Sequence, residues 1–496
     1  MASTHPLEIP EILLYVASYV SVQSLPVCAR VSKSWHQAFM PAVWKEIDLS
    51  DYKNGAFMAI RSHRHLVKSF DLSSLLQEPV ILPNLNSLSV VSPAVPKATK
   101  LILNHTSISH LRFNRFQPSP RLWSKLLGFP NLNRLELCRI KIDEKHIGSF
   151  WQLCTHLEHL GVRNSDIVDR GQLSSMEFPR LKELNLWQYD CKSRTVSLFM
   201  EFMSKCRGLT SCEWGSSPLN DEPFPPGFLQ LLNANTWPHL HGLTLWEHKI
   251  SQDDFPKIIV GIPRLASLDI LCYSDAVKPD IMELLRPHFS RLTALRLRLV
   301  DERVMCPMAQ EILSSCPLLE SFRASRINAT TVAEGDPWVC LGLKDLHLGF
   351  VFDPSTIRLV QPRVFDQLSR LTRLQYLYLW TITMSDGPIF TRFQKTVDLR
   401  LKNGLGRLST LRALQHLEFD HSEQRMGDRE IDWILEHWRC LSWIDGTFNT
   451  RKPKLDRALR NRLKDHGLEF VGSYDSEDET SESWSCSDRD NPEIEQ

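Results

Sequence analysis

The sequence carries no excess of either charge: 58 Lys and Arg stand against 58 Asp and Glu in 496 residues. That excludes a general polycation for nucleic acid or membrane surfaces. It also lacks the run of ~18–20 apolar residues that a membrane-spanning helix needs. Twelve cysteines are present, none spaced Cys-x-x-Cys, so a zinc ribbon or a thioredoxin-like site has no support. Gly-x-Ser-x-Gly, His-Glu-x-x-His, a P-loop and Gly-x-Gly-x-x-Gly are missing, and the 18 histidines are scattered. No catalytic, cofactor-binding or metal-ligating residue is therefore nominated, and no enzyme activity, cofactor, nucleic-acid partner or membrane partner is expected. At the start, His5, Glu8, Pro10 and Glu11 interrupt what a secretory leader would need as an apolar run. The cysteines then read as reduced thiols, and a cytoplasmic or nuclear location is expected.

What is present is a period. The pattern apolar-x-x-apolar-x-apolar recurs, for example at Leu85-Leu88-Val90, Leu132-Leu135-Leu137, Leu181-Leu184-Leu186, Leu265-Leu268-Ile270 and Leu374-Leu377-Leu379. Fourteen copies between residues 85 and 441 give thirteen steps with a mean of about 27 residues. Proline stands two residues before the leading position at Pro83, Pro130, Pro179, Pro238, Pro263 and Pro317. Lacking an N–H, it ends the preceding helix just before each strand. Within a short strand, positions one, four and six then stack inward and positions three, five and seven face outward. Stretches such as Val196 to Phe202 and Ala309 to Leu313 supply helices between strands. The ninth position holds Ile140, Tyr189, His248, Tyr273 and Ile382; the pattern resembles leucine-rich repeat proteins, in which Asn or Cys usually stands there and forms a side-chain ladder, so that ladder is in doubt and irregular curvature is expected. The step from Leu374 to Leu414 is long, which predicts an insertion at about 384–412, centred on Asp386 to Gly406.

The spacing and the leucines resemble leucine-rich repeat proteins, whose period is 20–29 residues. Residues 7 to 44 read differently, as three short helices. Ile9-Pro10-Glu11-Ile12-Leu13, Leu25, Val31-Ser32-Lys33-Ser34-Trp35 and Trp44 resemble the F-box; Leu7-Glu8 and Ile47-Asp48-Leu49 look like fungal F-box proteins in particular. The resemblance implies an α/β chain: a three-helix F-box (1–50), a linker and cap (51–84), a leucine-rich-repeat solenoid or horseshoe (85–446), and a cap helix (447–471). A serine-rich tail (472–496) with nine acidic residues and one basic follows, of a composition that is expected to be disordered. Without it the body carries 57 basic and 49 acidic residues, or +8. Ser476 and Ser487, each with an acid three residues on, suit an acidophilic kinase. Arg451 to Lys464 has seven basic residues and one acid, and reads as an amphipathic cap helix or as a nuclear-import signal.

The resemblance further implies a receptor of an SCF-type ubiquitin ligase. Ile9, Pro10, Ile12, Leu13, Val16, Leu25, Val31 and Trp35 would meet a Skp-type adaptor, itself joined to a cullin. An interaction scaffold outside any ligase is the alternative. An unknown target protein would be held by outward strand positions. These carry Trp187, Trp246 and Trp380 at position seven, Tyr376 at position three and Tyr378 at position five. Arg163, Arg296, Arg298 and Arg323 also lie at positions five or seven. Aromatics and arginines are the types enriched in binding hot spots; the alternative for the tryptophans is a sideways packing on neighbouring loops. His159, His241, His347 and His416 fall on outward positions too, as surface contacts.

Overall fold

In a computed structural model, residues 7–470 are described except 8, 21, 23, 49–55, 73–79, 92–94, 170, 189–192, 217–223, 247–249, 252, 273–280, 300–301, 354, 380–396 and 420–422. They form two compact units, Met1–His288 and Phe289–Gln496. The expected tail, with Ser476 and Ser487, and Trp380 lie outside the described residues.

The first unit opens with α1 (Pro10–Ala17), α2 (Leu25–Cys28) and α3 (Lys33–Val43). Pro10 suits the first turn of α1, where its missing N–H has no partner to lose. Ser32 caps α3 by accepting the Trp35 N–H at 3.2 Å. The helix runs through Pro41 to Val43, because a proline this near the end forfeits a single bond. Leu13, Ala17, Leu25, Ala29, Ala38 and Phe39 form the core of the three helices, and Trp35 stacks on Phe39 at 5.0 Å.

Parallel strands follow: β1 (Glu46–Asp48), β2 (Ser69–Leu72), β3 (Ser87–Val91), β4 (His110–Asn114), β5 (Arg134–Cys138), β6 (Lys141–Ile142), β7 (His159–Arg163), β8 (Asp166–Ile167), β9 (Glu183–Gln188), β10 (Ser211–Ser216), β11 (Gly242–Trp246) and β12 (Ser267–Cys272). All but β6 and β8, which pair with each other, lie side by side in chain order. The sheet therefore begins two strands before the leucine period. β1 pairs with β2, and Trp44 stacks on His63 at 4.6 Å, joining the three-helix module to the repeats.

Register puts equivalent positions opposite one another. Leu88, Leu111, Leu135, Leu160 and Leu184 line up across five strands and are all buried. Each contributes about 1.5–3 kcal/mol by burial against its neighbours, which no single repeat could supply alone. The prolines ahead of the strands sit in turns, and helices such as Ser193–Ser204 run between strands as expected. Of the five ninth-position residues named above only Ile140 is described; it is buried, and its N–H donates to the hydroxyl of Ser165, the ninth residue of the next repeat, at 3.2 Å. Main-chain bonds run beside this side-chain rung. Arg115, Arg139 and Asn164 adopt left-handed φ and donate their N–H groups to Cys138, Arg163 and Trp187 carbonyls at 2.8, 2.8 and 2.6 Å.

The second unit repeats the plan with β13 (Ala294–Leu299), β14 (Ser321–Asn328), β15 (Asp345–Val351), β16 (Tyr376–Tyr378), β17 (His416–Glu418) and β18 (Trp443–Asp445), parallel and in chain order. Of the expected insertion, the described part from residue 397 is packed rather than looped out. Val397 and Leu399 are buried and lead into short 3₁₀ turns at Leu401–Asn403 and Leu405–Thr410. The Gln424 carboxamide accepts from Leu399 N–H at 2.9 Å and donates to the Val397 carbonyl at 2.6 Å. A helix at Pro453–Asp465 buries Leu459 and Leu463. Glu469 then returns beside β18, its N–H on the Ser442 carbonyl at 2.9 Å. No helix among the described residues is long and apolar enough to cross a membrane.

Candidate functional site

Two kinds of surface collect the nominated residues. On the three-helix module, helical phase separates them. Leu13 (0% exposed) and Leu25 (4%) lie in the core, so neither is available as an adaptor contact; each holds the helices together instead. Val16 and Trp35 are half-buried against that core. Ile9, Pro10, Ile12 and Val31 are exposed. The motif did not single out Leu14 (50%), Tyr15 (65%), Tyr19 (73%) or Val27 (66%), which join the same apolar exposure. Tyr15 and Tyr19 pack edge-on at 4.9 Å, one helical turn apart. The signal was there: Leu13-Leu14-Tyr15 places more apolar residues in succession than one helix stripe can bury. Exposed apolar area of this extent marks a surface that a partner covers.

The outward strand face of the first unit is polar. A cleft of ≈ 190 Å³ is lined by Arg112, Arg134, Glu136, His159, Gly161, Arg163 and Glu213, among others. Glu136 is held down to about 2 by the His110 hydrogen bond and by Arg134, whose guanidinium lies 2.8 Å away. Burial pushes Glu213 up. Arg163 is exposed and bears on Glu213 electrostatically. Trp187 and Trp246 are half-buried with rings 6.0 Å apart. The Trp187 ring lies over Gly215, where an added Cβ would come within 2.8 Å of it. These tryptophans thus lie sideways along the sheet.

In the second unit Arg296, Arg323, Tyr376 and Tyr378 are half-buried on the outward face; the Arg298 side chain is outside what is described. His347, expected as a surface contact, is packed between neighbours. Its ring stacks on Tyr378 at 3.6 Å, and Arg323 Nη2 approaches Nδ1 at 2.7 Å. A guanidinium has no acceptor, so Nδ1 accepts from it, and Nε2 lies 2.9 Å from the Asp345 carboxylate. Burial pushes the imidazole pKa down against the pull of Asp345, which keeps it neutral. Asp345 also takes Ser321 at 3.0 Å and Arg296 at 3.3 Å. Among the described residues no group of His, Cys, Asp and Glu could hold a metal ion.

Two family models match the chain. Residues 10–50 match the F-box-like model, and residues 72–197 match the model described as FBD-associated F-box protein At5g56370, LRR repeats. Among solved structures, an internalin (inlF) from Listeria monocytogenes is 15% identical, over 75% of this chain and 82% of that one, with a TM-score of 0.32. TLR13 in complex with ssRNA13 is 14% identical, over 83% of this chain, with a TM-score of 0.34; the chain spans 62% of its length. With the two models in this order along a parallel sheet with intervening helices, the chain is an F-box-like module followed by leucine-rich repeats.

Proposed function

We propose that this chain is the substrate-recognition subunit of an SCF-type cullin-RING ubiquitin ligase. The F-box-like helices dock a Skp-type adaptor, the adaptor links to the cullin, and the outward strand positions hold a target protein. The observation that carries the reading is the exposure of the apolar residues Ile12, Leu14, Tyr15, Val27 and Val31 on the matched segment, with Ile9 just ahead of it. Leu13, Leu25 and Trp35 act by holding that surface in shape. The likeness of Leu7-Glu8 and Ile47-Asp48-Leu49 to fungal F-boxes belongs to the same reading. In this role the chain makes and breaks no bonds. It raises the effective concentration of target lysines near the loaded ubiquitin, an intramolecular advantage set by geometry. Co-purification of adaptor and cullin with the full chain tests it. Adaptor without cullin would point to a scaffold, and neither would remove the proposal.

A further inference from the structure

The outward face of the second unit is ordered by charge. At position five, successive strands present Arg296, Arg323, His347, Tyr378, Glu418 and Asp445, each in register with the next. The row starts with two guanidinium groups and ends with two carboxylates. Asp345 offsets part of the positive end through Arg296, while Glu469, bridged to Trp443, adds to the negative end. The middle of the row is the Tyr378–His347 stack, and an aromatic row flanks the carboxylate end on the last three strands. At position three, Tyr376, His416 and Trp443 are in register, with Tyr376 and His416 at 5.2 Å and His416 stacked on Trp443 at 4.7 Å. Tyr378 stands on His347 beside them. The hydrogen bond from Arg323 to His347 and the close approach of His347 to Asp345 hold the basic end in one arrangement, so little side-chain freedom remains to be lost on binding.

We infer that this strip takes an extended peptide segment of a target protein with an acidic side chain at one end, apolar or aromatic side chains in the middle and a basic side chain at the other. The inference rests on the proposed receptor role and specifies the chemistry that the role would select. Length follows from the spacing. Five inter-strand steps of ~4.8 Å span roughly 24 Å, which an extended chain at ~3.3 Å per residue covers with about seven residues. Opposite charges at the two ends fix the register of the peptide and reject the uniform charge patterns that would meet one matching and one repelling end.

The test uses the full chain and fluorescein-labelled heptapeptides, read by anisotropy at low salt. Glu-Glu-Leu-Tyr-Leu-Lys-Lys and its reverse cover both chain directions. The inference expects at least one to bind about tenfold more tightly than Glu-Glu-Leu-Tyr-Leu-Gln-Gln and Gln-Gln-Leu-Tyr-Leu-Lys-Lys in the same direction. Equal affinity for two-ended and one-ended probes would overturn it. Glu418→Lys with Asp445→Lys should transfer the preference to Glu-Glu-Leu-Tyr-Leu-Glu-Glu. Should that variant melt early by circular dichroism, Glu418→Gln serves: it should weaken the two-ended probe and spare the one carrying acids alone, and weakening of both alike would count against the inference. Adaptor capture by the same preparation separates the two ideas. Adaptor binding without charge-ordered peptide preference removes this inference alone, whereas ordered peptide preference without adaptor binding supports it and removes the receptor role.

Discussion

Leu13 and Leu14 are adjacent, chemically identical and predicted to fail in different ways. Leu13 is wholly buried and Leu14 is half exposed. Truncating Leu13 to alanine removes its transfer free energy and leaves a cavity, a cost of about 2–5 kcal/mol. The module has a core of only six fully buried residues, and a unit of this size has little stability to spare. Leu13→Ala should therefore open the three helices locally. A loss of 2 kcal/mol is about 30-fold in the opening equilibrium, so exchange of α1 and α3 amides should quicken at least that much. Amides of β4 and β5, held by their own ladder, should not change. Leu14→Ala gives up only part of a leucine's burial, below about 1 kcal/mol, so exchange should shift less than about fivefold while adaptor capture weakens. Hydrogen exchange followed by mass spectrometry reads both. The reasoning fails if Leu13→Ala keeps full protection in the module, or if Leu14→Ala exposes it as much as Leu13→Ala does.

Three further outcomes follow from other parts of the fold. Gly215→Ala sets a Cβ 2.8 Å from the Trp187 ring; the ring must swing off Trp246, for about 1–3 kcal/mol and a changed near-ultraviolet circular dichroism signal. Gln424→Leu strands the buried Leu399 N–H and Val397 carbonyl at about 1–3 kcal/mol each, so limited proteolysis should cut sooner near residues 397–410. Glu136 titrates at about 2 in the fold against an ordinary 4.5, through His110 and then Arg134. A depressed carboxylate stabilises the fold fully above the ordinary value and loses that contribution as pH falls from 4.5 toward 2. The urea midpoints of the parent and Glu136→Gln should thus differ at pH 6, draw together through pH 3 and converge only near pH 2; a constant gap would refute the pairing.

The inward positions were legible because they are apolar in nearly every repeat, and position four is a row of buried leucines. β2 escaped because its copy, Val67-Phe70-Leu72, carries the pattern without the leading leucine; burial asks for an apolar residue, not for leucine as such. The proline signal worked since it acts through the backbone and does not depend on tertiary contacts. The contact list of the module was legible only as a motif. Motif residues include both core and surface, and a 3.6-residue period rotates Leu14 and Tyr15 away from the stripe shared by Leu13 and Ala17. The outward strand positions could be counted from the spacing, but the packing of their side chains was hidden. Whether His347 is a free surface group or a neutral link between Arg323 and Asp345 depends on which side chains the register sets beside it, some 24 residues away in sequence.

The most direct test is capture of a Skp-type adaptor and cullin by the full chain, parent against Ile12→Asp, Leu14→Asp and Val27→Asp combined. All three positions are exposed, so the variant should keep its melting temperature and its exchange protection. The parent should retain adaptor and cullin and the variant should lose both, since three carboxylates cannot be buried against an apolar partner without compensation. Equal capture by the folded variant, or no capture by the folded parent, would contradict the account.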